Sequence, residues 1–273
     1  MDIGILVYND KDKSYDFTKE VCEYLKSKEV NVYTEDSIGY IGYKSLSIDE
    51  MFYRCEFVII IGGDGTILNK IKETNTYNAK IYGINLGHLG YLTDVDRDKY
   101  KKGIDKLLKG KYFCENRMML ECIIGDFKYT ALNDICINRG VFSSMIELDI
   151  DINNSHVDTI RCDGVIVTTP TGSTAYNLSV GGPIIKSDTE IIGVTPIAPH
   201  SIFARPFIVS GDDTISVVVK PLRNEAYLVV DGKKCTLLEK DEKITIRKYS
   251  EKVTIVKTVE KNFYKVLRDK IQK

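Results

Sequence analysis

The sequence predicts an α/β, Rossmann-like N-terminal domain followed by a β-rich, sandwich-like C-terminal domain. Three observations carry this. The first hundred residues alternate strand-like and helix-like stretches, the pattern of a parallel sheet with crossover helices. From Tyr112 onward strand-like stretches follow one another with turn residues between them. Val58–Thr66, reading Val-Ile-Ile-Ile-Gly-Gly-Asp-Gly-Thr, runs β-branched residues straight into a glycine turn, as a strand buried on both faces does where it meets a loop.

Taken in order, Ile3–Tyr8 is a first strand broken by Asn9-Asp10, and Phe17–Lys28 is a helix with Val21, Cys22, Tyr24 and Leu25 on one stripe. Val30–Tyr33 is a second strand, and Ser37–Ser47, rich in Gly, Ser and Tyr without a period, is a loop. Phe57–Ile61 is the buried strand, Ile67–Glu73 a helix and Lys80–Ile84 another strand. Arg97–Lys109 is a polar helix with Ile104, Leu107 and Leu108 inward, leading out of the first domain. Strands are then expected at Met118–Ile124, Ala131–Asn138, Ser144–Ile152, Gly164–Thr168, Phe207–Val209, Thr214–Lys220, Ala226–Val230, Lys243–Arg247 and Lys252–Val256. Residues 145–152 alternate almost strictly, as a half-buried strand does. Phe263–Ile271 is a terminal helix. The expected division is residues 1–97, 98–250, and a segment 251–273 returning to the first domain.

Bulk composition narrows the function classes. A chain of 273 residues with 43% hydrophobic and 28% charged residues is that of a soluble globular protein. A net charge of -1 gives no global attraction to nucleic acid or membrane. No apolar run approaches the ~20 residues needed to span a bilayer. The N-terminus lacks a basic n-region and a cleavage site and reads as a strand, so a cytoplasmic location is expected. Seven cysteines without a Cys-x-x-Cys, and three scattered histidines, argue against a disulfide framework and a structural zinc site.

The chemistry concentrates in a few loops. No Gly-x-Gly-x-x-Gly follows the first strand, so the usual dinucleotide fingerprint is absent. Gly62, Gly63, Gly65 and Thr66 instead form a turn whose free amides suit a phosphate. Asp64 would repel a bare phosphate, so it is a general base, a metal ligand or a cap for the following helix. Asn85–Asp94 makes a second glycine loop, in which His88 either touches a ligand or is a satisfied loop residue. Asp163–Pro183 holds many small polar residues after a strand. Thr171-Gly172-Ser173-Thr174 can cap the next helix or bind polar ligand groups, and Tyr176 can stack on a base. Asn133-Asp134 interrupts an apolar strand, either as a bulge or to hold a ribose diol. Arg205, in an apolar setting, either binds phosphate or pairs with a buried carboxylate, and the structural pairing is favoured. Asp231-Gly232-Lys233-Lys234 reads as a hairpin turn, with Asp231 alternatively facing a ligand.

Together these stretches resemble the NAD kinase family over nearly the whole chain. The family's Gly-Gly-Asp-Gly stands at Gly62–Gly65 and its Thr-Pro-(Ser/Thr)-Gly-Ser-Thr-Ala-Tyr at Thr169–Tyr176. Its Asn-x-Gly-x-Leu-Gly-(Phe/Tyr) stands at Asn85–Tyr91, and its His-Ser-x-x-Ala-Arg-Pro at His200–Pro206. The resemblance implies a kinase that phosphorylates the 2′-hydroxyl of the adenosine ribose of NAD. ATP (or polyphosphate) is the donor and a divalent cation, Mg²⁺ being the expected one, assists. It implies a homodimer or homotetramer whose site a neighbouring subunit helps to complete.

Residue by residue, the resemblance makes Asp64 the base toward the 2′-hydroxyl, and places Gly65 and its neighbours on the phosphate path. A free aspartate is a weak base for an alcohol, so its help comes late in the transfer or by orienting the hydroxyl. Asn133 and Asp134 hold adenosine and ribose. Thr171, Thr174, Ala175, Tyr176 and Ser179 surround the adenine and the site's inner wall, and Asn177 and Leu178 complete the NAD-binding set. Arg161 and Asp163 reach the nicotinamide half across a subunit boundary. Ala198 offers a backbone contact, and Ser144 and Lys233 match contacting positions loosely. The metal's protein ligands are not indicated.

Two departures stand out. The family's Asn-Glu pair is here Asn-Asp, one methylene shorter. Lys70 is also the one obvious basic group after Ile67 in this loop. A lipid kinase sharing the Gly-Gly-Asp-Gly loop and a non-catalytic dinucleotide sensor are the alternatives. Thr171–Tyr176 argues against the first and an intact Asp64 against the second.

Overall fold

A computed structural model describes residues 1–7, 11–35, 43–87, 90–141, 144–220, 225–260 and 262–271. The chain forms two compact units, Met1–Asn116 with Val253–Lys273, and Arg117–Lys252. Among the described residues no helix is long and apolar enough to cross a membrane.

The first unit contains β1 (Asp2–Val7), α1 (Lys11–Lys26), β2 (Asn31–Glu35), β3 (Lys44–Leu46), α2 (Ile48–Arg54), β4 (Phe57–Ile61), α3 (Asp64–Lys72), β5 (Lys80–Asn85), β6 (Val95–Asp96), α4 (Tyr100–Leu108) and the start of β7 (Phe113–Ile124). Its strands run β3-β2-β1-β4-β5, every pair parallel. Helices cover such a sheet, so a central strand needs apolar residues on both faces. That is why all of Phe57–Ile61 is buried. α1 buries Phe17, Val21, Cys22 and Leu25, spaced for one helical face. The order reverses between β1 and β4, the position where open parallel sheets place ligands outside the carboxyl ends of their strands.

Four local readings change. The expected loop 37–47 contains a short strand at Lys44–Leu46, although most of that stretch lies outside the described residues. α2 was not expected, yet Ser47-x-x-Glu50 is a capping box. The Ser47 hydroxyl accepts from the Glu50 amide, and the Glu50 carboxylate accepts from the Ser47 amide. α3 starts at Asp64, three residues before the apolar periodicity begins. α4 lies within the first unit, with Tyr100, Ile104 and Leu107 in its core.

The second unit adds β8 (Phe127–Ala131), β9 (Asp134–Arg139), β10 (Ile146–Ile152), β11 (Ser155–Cys162), β12 (Gly164–Thr168), α5 (Tyr176–Ser179), β13 (Ile191–Ile197), β14 (Phe207–Ser210), β15 (Ile215–Val219), β16 (Ala226–Val230), β17 (Lys233–Leu238) and β18 (Lys243–Lys257). One antiparallel sheet runs β14-β13-β12-β9-β16-β17. A second layer runs β11-β10-β15-β18, also antiparallel. Leu148 and Val217 from one layer share a core with Ile135, Val165 and Leu228 from the other.

β6, β8, β11 and β13 were missed. β11 is an edge strand with only Ile160 and Cys162 buried, so it shows no alternation. β13 carries Gly193 and Pro196, which weaken a strand reading. Gly193 is required because a Cβ would lie 2.8 Å from Thr168 Cγ2. Pro196 falls beyond the last residue paired to β14, where no ladder amide is needed. The two strands expected at 243–247 and 252–256 are one strand, β18, whose last residues belong to the first unit and pair with β5. The helix α6 (Phe263–Ile271) belongs to the first unit, as expected for the returning segment.

Candidate active site

In the first unit, parallel pairing of Ile61 with Ile84 ends β4 and β5 together, so their loops leave the same sheet edge. The Gly62 amide closes the junction on the Ile84 carbonyl at 2.9 Å. Gly62 has no room for a side chain, since a Cβ would lie 2.3 Å from Thr66 Oγ1. Gly63 and Gly65 differ: a Cβ on either would meet nothing within 4 Å. These two keep open space beside the first turn of α3, where unpaired amides attract anions.

Asp64 is the first residue of α3, but Gly63 occupies the capping position and no side chain caps the helix. The Asp64 carboxylate instead takes three backbone amides from the loop after β5. Tyr91 N–H donates to Oδ2 at 2.7 Å, and Leu92 and Thr93 N–H donate to Oδ1 at 3.0 and 3.3 Å. Such bonds hold a carboxylate in one orientation. Asp64 stays half-buried, and Oδ2 carries a single protein hydrogen bond among those described. Gly90 permits the approach: a Cβ there would lie 1.9 Å from Asp64 Oδ1. The Gly90 amide is itself fixed on Thr93 Oγ1 at 2.9 Å. The Tyr91 phenol is pushed upward by burial and then by the Asp64 charge.

Lys70 does not serve the phosphate loop. Its ammonium is buried and bound to Glu35 at 3.0 Å and Glu73 at 3.4 Å. His88 lies outside the described residues.

In the second unit, Asn133-Asp134 stands where β9 begins, and its backbone is clamped from two sides. The Asp231 carboxylate accepts Leu132, Asn133 and Asp134 N–H at 3.0, 2.7 and 2.9 Å. The Asn133 carbonyl accepts Thr169 N–H at 2.8 Å and Thr168 Oγ1 at 3.2 Å. Gly172 lies against that carbonyl, where a Cβ would come within 2.1 Å. Of the two readings of Asp231, its carboxylate is committed to these amides, from a backbone with φ +47°. The Asp134 carboxylate is buried and accepts the Cys136 thiol at 3.3 Å. Burial, then the Asp134 charge, pushes that thiol well above its usual range.

The loop after β12 is held from within. Ser173 Oγ donates to the Pro170 carbonyl at 2.7 Å and accepts Ile185 N–H at 3.0 Å. Asn177 is fully buried; it donates to the Pro183 carbonyl at 3.0 Å and accepts Thr195 Oγ1 at 2.7 Å. Its side chain therefore holds the loop. Thr174 Oγ1 donates to the Thr171 carbonyl. The Thr171 hydroxyl is buried with no hydrogen-bond partner among the described residues. Buried polar groups are almost always paired, so this hydroxyl marks a place for a ligand or a water. Tyr176 is 44% exposed. Burial, then the nearby acidic groups of Cys136, Asp134 and Asp163, raises its phenol. Ala175 and Leu178 are half-buried and Ser179 is exposed.

Asp163 is forked by Arg139, Nε to Oδ1 at 2.5 Å and Nη2 to Oδ2 at 3.4 Å. Sequence reasoning did not single out Arg139; its meeting with Asp163 follows from the β9–β12 register, which sets Asn138 opposite Gly164. Arg161 projects from the edge strand β11 and is exposed, as are Ser144 and Lys233. Ala198 is exposed with φ +44°, unusual for a residue with a Cβ. Arg205 corrects an expectation: among the described bonds its guanidinium meets only the Ala204 carbonyl, at 3.3 Å, and no buried carboxylate.

A buried parallel strand ending in an anchored carboxylate and an open glycine turn, joined in one chain to a β-rich unit with a small polar loop, is the arrangement of a phosphotransferase for a nucleotide. The comparisons agree. The family model for the ATP-NAD kinase N-terminal domain matches residues 3–112, and that for the C-terminal domain matches 132–258. The chain is 39% identical to the NAD kinase of Thermoanaerobacter sp. (strain X514), with 98% of each chain covered. It is 36% identical to the NAD kinase of Clostridium botulinum (strain Loch Maree / Type A3), covering 98% of this chain and 95% of that one. A crystal structure of yeast NADH kinase complexed with NADH superposes with a TM-score of 0.91 at 25% identity, covering 100% and 87% of the two chains. An NAD kinase from Archaeoglobus fulgidus in complex with ATP gives 0.81 at 28% identity, covering 98% and 99%. The chain belongs to the ATP-NAD kinase family.

Proposed function

We propose that this enzyme transfers the γ-phosphoryl group of ATP to the 2′-hydroxyl of the adenosine ribose of NAD, giving NADP and ADP. The hydroxyl oxygen bonds to phosphorus as the bond to the ADP oxygen breaks, and the hydroxyl proton leaves. Asp64 orients that hydroxyl and accepts its proton as the transfer proceeds. One observation carries the reading: three amides anchor the Asp64 carboxylate while Gly63 and Gly65 beside it face open space. The phosphates of the donor fit against that glycine turn, with Gly62 and Thr66 shaping it.

Asn133 and Asp134 receive the adenosine and its ribose, supported by the clamped backbone that presents them. Asp134 is buried and short, so its reach to a ribose hydroxyl is direct or through one water. Thr171, Thr174, Ala175, Tyr176, Leu178 and Ser179 line the adenine, with the unpartnered Thr171 hydroxyl as a hydrogen-bonding group. Asn177 contributes by holding that loop. Arg161, Asp163 with its Arg139 partner, and the Ala198 backbone are assigned to the nicotinamide half; Ser144 and Lys233 are peripheral contacts. With this reading go a cytoplasmic location, expected from the sequence, and a homodimeric or homotetrameric assembly, which rests on the family resemblance.

Among the described residues no three His, Cys, Asp or Glu side chains cluster in a way that holds a metal ion. Mg²⁺ is assigned to the donor, carried on the ATP phosphates as that ion commonly is.

The test is purified protein with ATP, Mg²⁺ and NAD, assayed for NADP. Asp64→Asn should keep NAD affinity within about tenfold (~1.4 kcal/mol) and lose most turnover. Loss of NAD binding instead would make Asp64 a binding residue and refute its role as base.

A further inference from the structure

The loop that holds Asp64 is itself held from its other side. Lys257, the last residue of β18, is a buried lysine. Its ammonium donates to the carbonyls of Tyr91, Leu92 and Thr93 at 3.0, 2.9 and 2.9 Å. These are the residues whose amides bind Asp64. The next residue reinforces the grip: Thr258 donates its amide and hydroxyl to Asp94 Oδ2 at 2.9 and 2.5 Å.

Two peptide groups are therefore bonded at both ends. The peptide joining Tyr91 to Leu92 gives its carbonyl to Lys257 and its N–H to Asp64. The peptide joining Leu92 to Thr93 does the same. Each peptide carries a dipole of ~3.5 D, positive at the N–H. Both dipoles point their positive ends at the carboxylate and their negative ends at the ammonium. A hydrogen bond accepted at the carbonyl polarises the peptide and strengthens the one its N–H donates. A buried ammonium also demands its acceptors, so the carbonyls cannot rotate away without stranding the charge. The peptide planes, and with them the N–H directions, are thus fixed from behind.

We propose that Lys257 is a positioning residue for the phosphoryl transfer: through the two peptides of Tyr91–Thr93 it sets the orientation of the Asp64 carboxylate. This rests on the kinase reading of Asp64. Lys257 touches no substrate in this scheme, so its loss should act on turnover and leave substrate affinity alone.

The test replaces Lys257 with Met, which keeps length and removes the charge and donors. Misplacement of a catalytic group by about 1 Å can lower rate ~100-fold. Lys257→Met should therefore lower kcat ~30- to 100-fold, with KM for NAD and ATP within about threefold. In an Asp64→Asn background it should cause no further loss, because the group it positions is already gone. If Lys257→Met does not fold, Lys257→Gln keeps N–H donors without the charge and carries the same measurements.

Amide hydrogen exchange at Tyr91, Leu92 and Thr93 supplies a readout without turnover, and it should speed at least tenfold in either variant. A kcat within threefold of wild type in the folded variant would overturn the proposal. So would an additive loss on Asp64→Asn, or unchanged exchange at those amides. If wild-type protein makes no NADP but the exchange change occurs, the kinase reading fails while the structural coupling of Lys257 to this loop stands.

Discussion

Gly90→Ala offers the sharpest test of how Asp64 is held. The added Cβ would sit 1.9 Å from Asp64 Oδ1, 2.2 Å from Cγ and 2.3 Å from Oδ2. Ordinary contact needs about 1.5 Å more. The carboxylate must retreat by that amount, or the loop must. Either movement breaks bonds now at 2.7, 3.0 and 3.3 Å, because hydrogen bonds fail beyond about 3.5 Å. Each hydrogen bond to a charged group contributes ~1.5–3 kcal/mol. Asp64 is half-buried and water replaces part of this, so a net destabilisation of ~2–4 kcal/mol is expected.

Turnover should fall ~100-fold or more, since the proposed base no longer faces its hydroxyl in a fixed direction. NADP formation measured beside a thermal melt separates the two effects. Gly87→Ala in the neighbouring part of the same loop is the control, because a Cβ there meets nothing within 4 Å. Wild-type turnover in Gly90→Ala, or an equal loss in Gly87→Ala, would refute the reasoning.

Two further outcomes are expected. Asp231→Ala leaves the amides of Leu132, Asn133 and Asp134 without their acceptor and puts Ala at φ +47°. It should cost ~3–5 kcal/mol by chemical denaturation, with Asp231→Asn losing less because Asn tolerates that backbone; equal stability in all three proteins would show that the clamp is dispensable. For the cysteines, native labelling with a maleimide at pH 8 should modify exposed Cys114 first and half-buried Cys235 more slowly. Burial pushes the thiols of Cys22, Cys55, Cys122 and Cys162 up to about 12, and that of Cys136 well above its usual range. These five should react only on unfolding, as peptide mass spectrometry would show; fast labelling of any of them would contradict the described packing.

The parts legible in the sequence share a physical origin. Phe57–Ile61 could be read as a buried strand because a parallel sheet covered on both faces admits only apolar residues there. β10 could be read because one of its faces is wet and the other dry. β11 could not, since an edge strand exposes nearly all its side chains. The capping box of α2 was present in Ser47 and Glu50 and passed unread. Arg205 shows the opposite failure: an apolar neighbourhood in sequence suggested burial, while the loop carrying it is exposed, with Ile202 and Phe203 exposed beside it.

By itself the sequence determined the fold class and the family, and it supplied a short list of candidate residues for the chemistry. It could do so because these depend on local patterns: periodicity, glycine turns, and polar residues clustered after a strand. Only the tertiary structure decided what each of those residues contacts. Asp64 could have capped its helix. Instead it is bound by amides some thirty positions later, because Ile61 and Ile84 are paired in register. Asp231 could have faced a ligand, yet it braces a backbone about a hundred positions earlier. Lys70 was the one basic group noted after the glycine turn, and it is buried and paired with Glu35. Lys257 drew no attention, and it secures the loop behind the proposed base. Such assignments rest on contacts between residues far apart in sequence, which strand register sets and no local pattern contains.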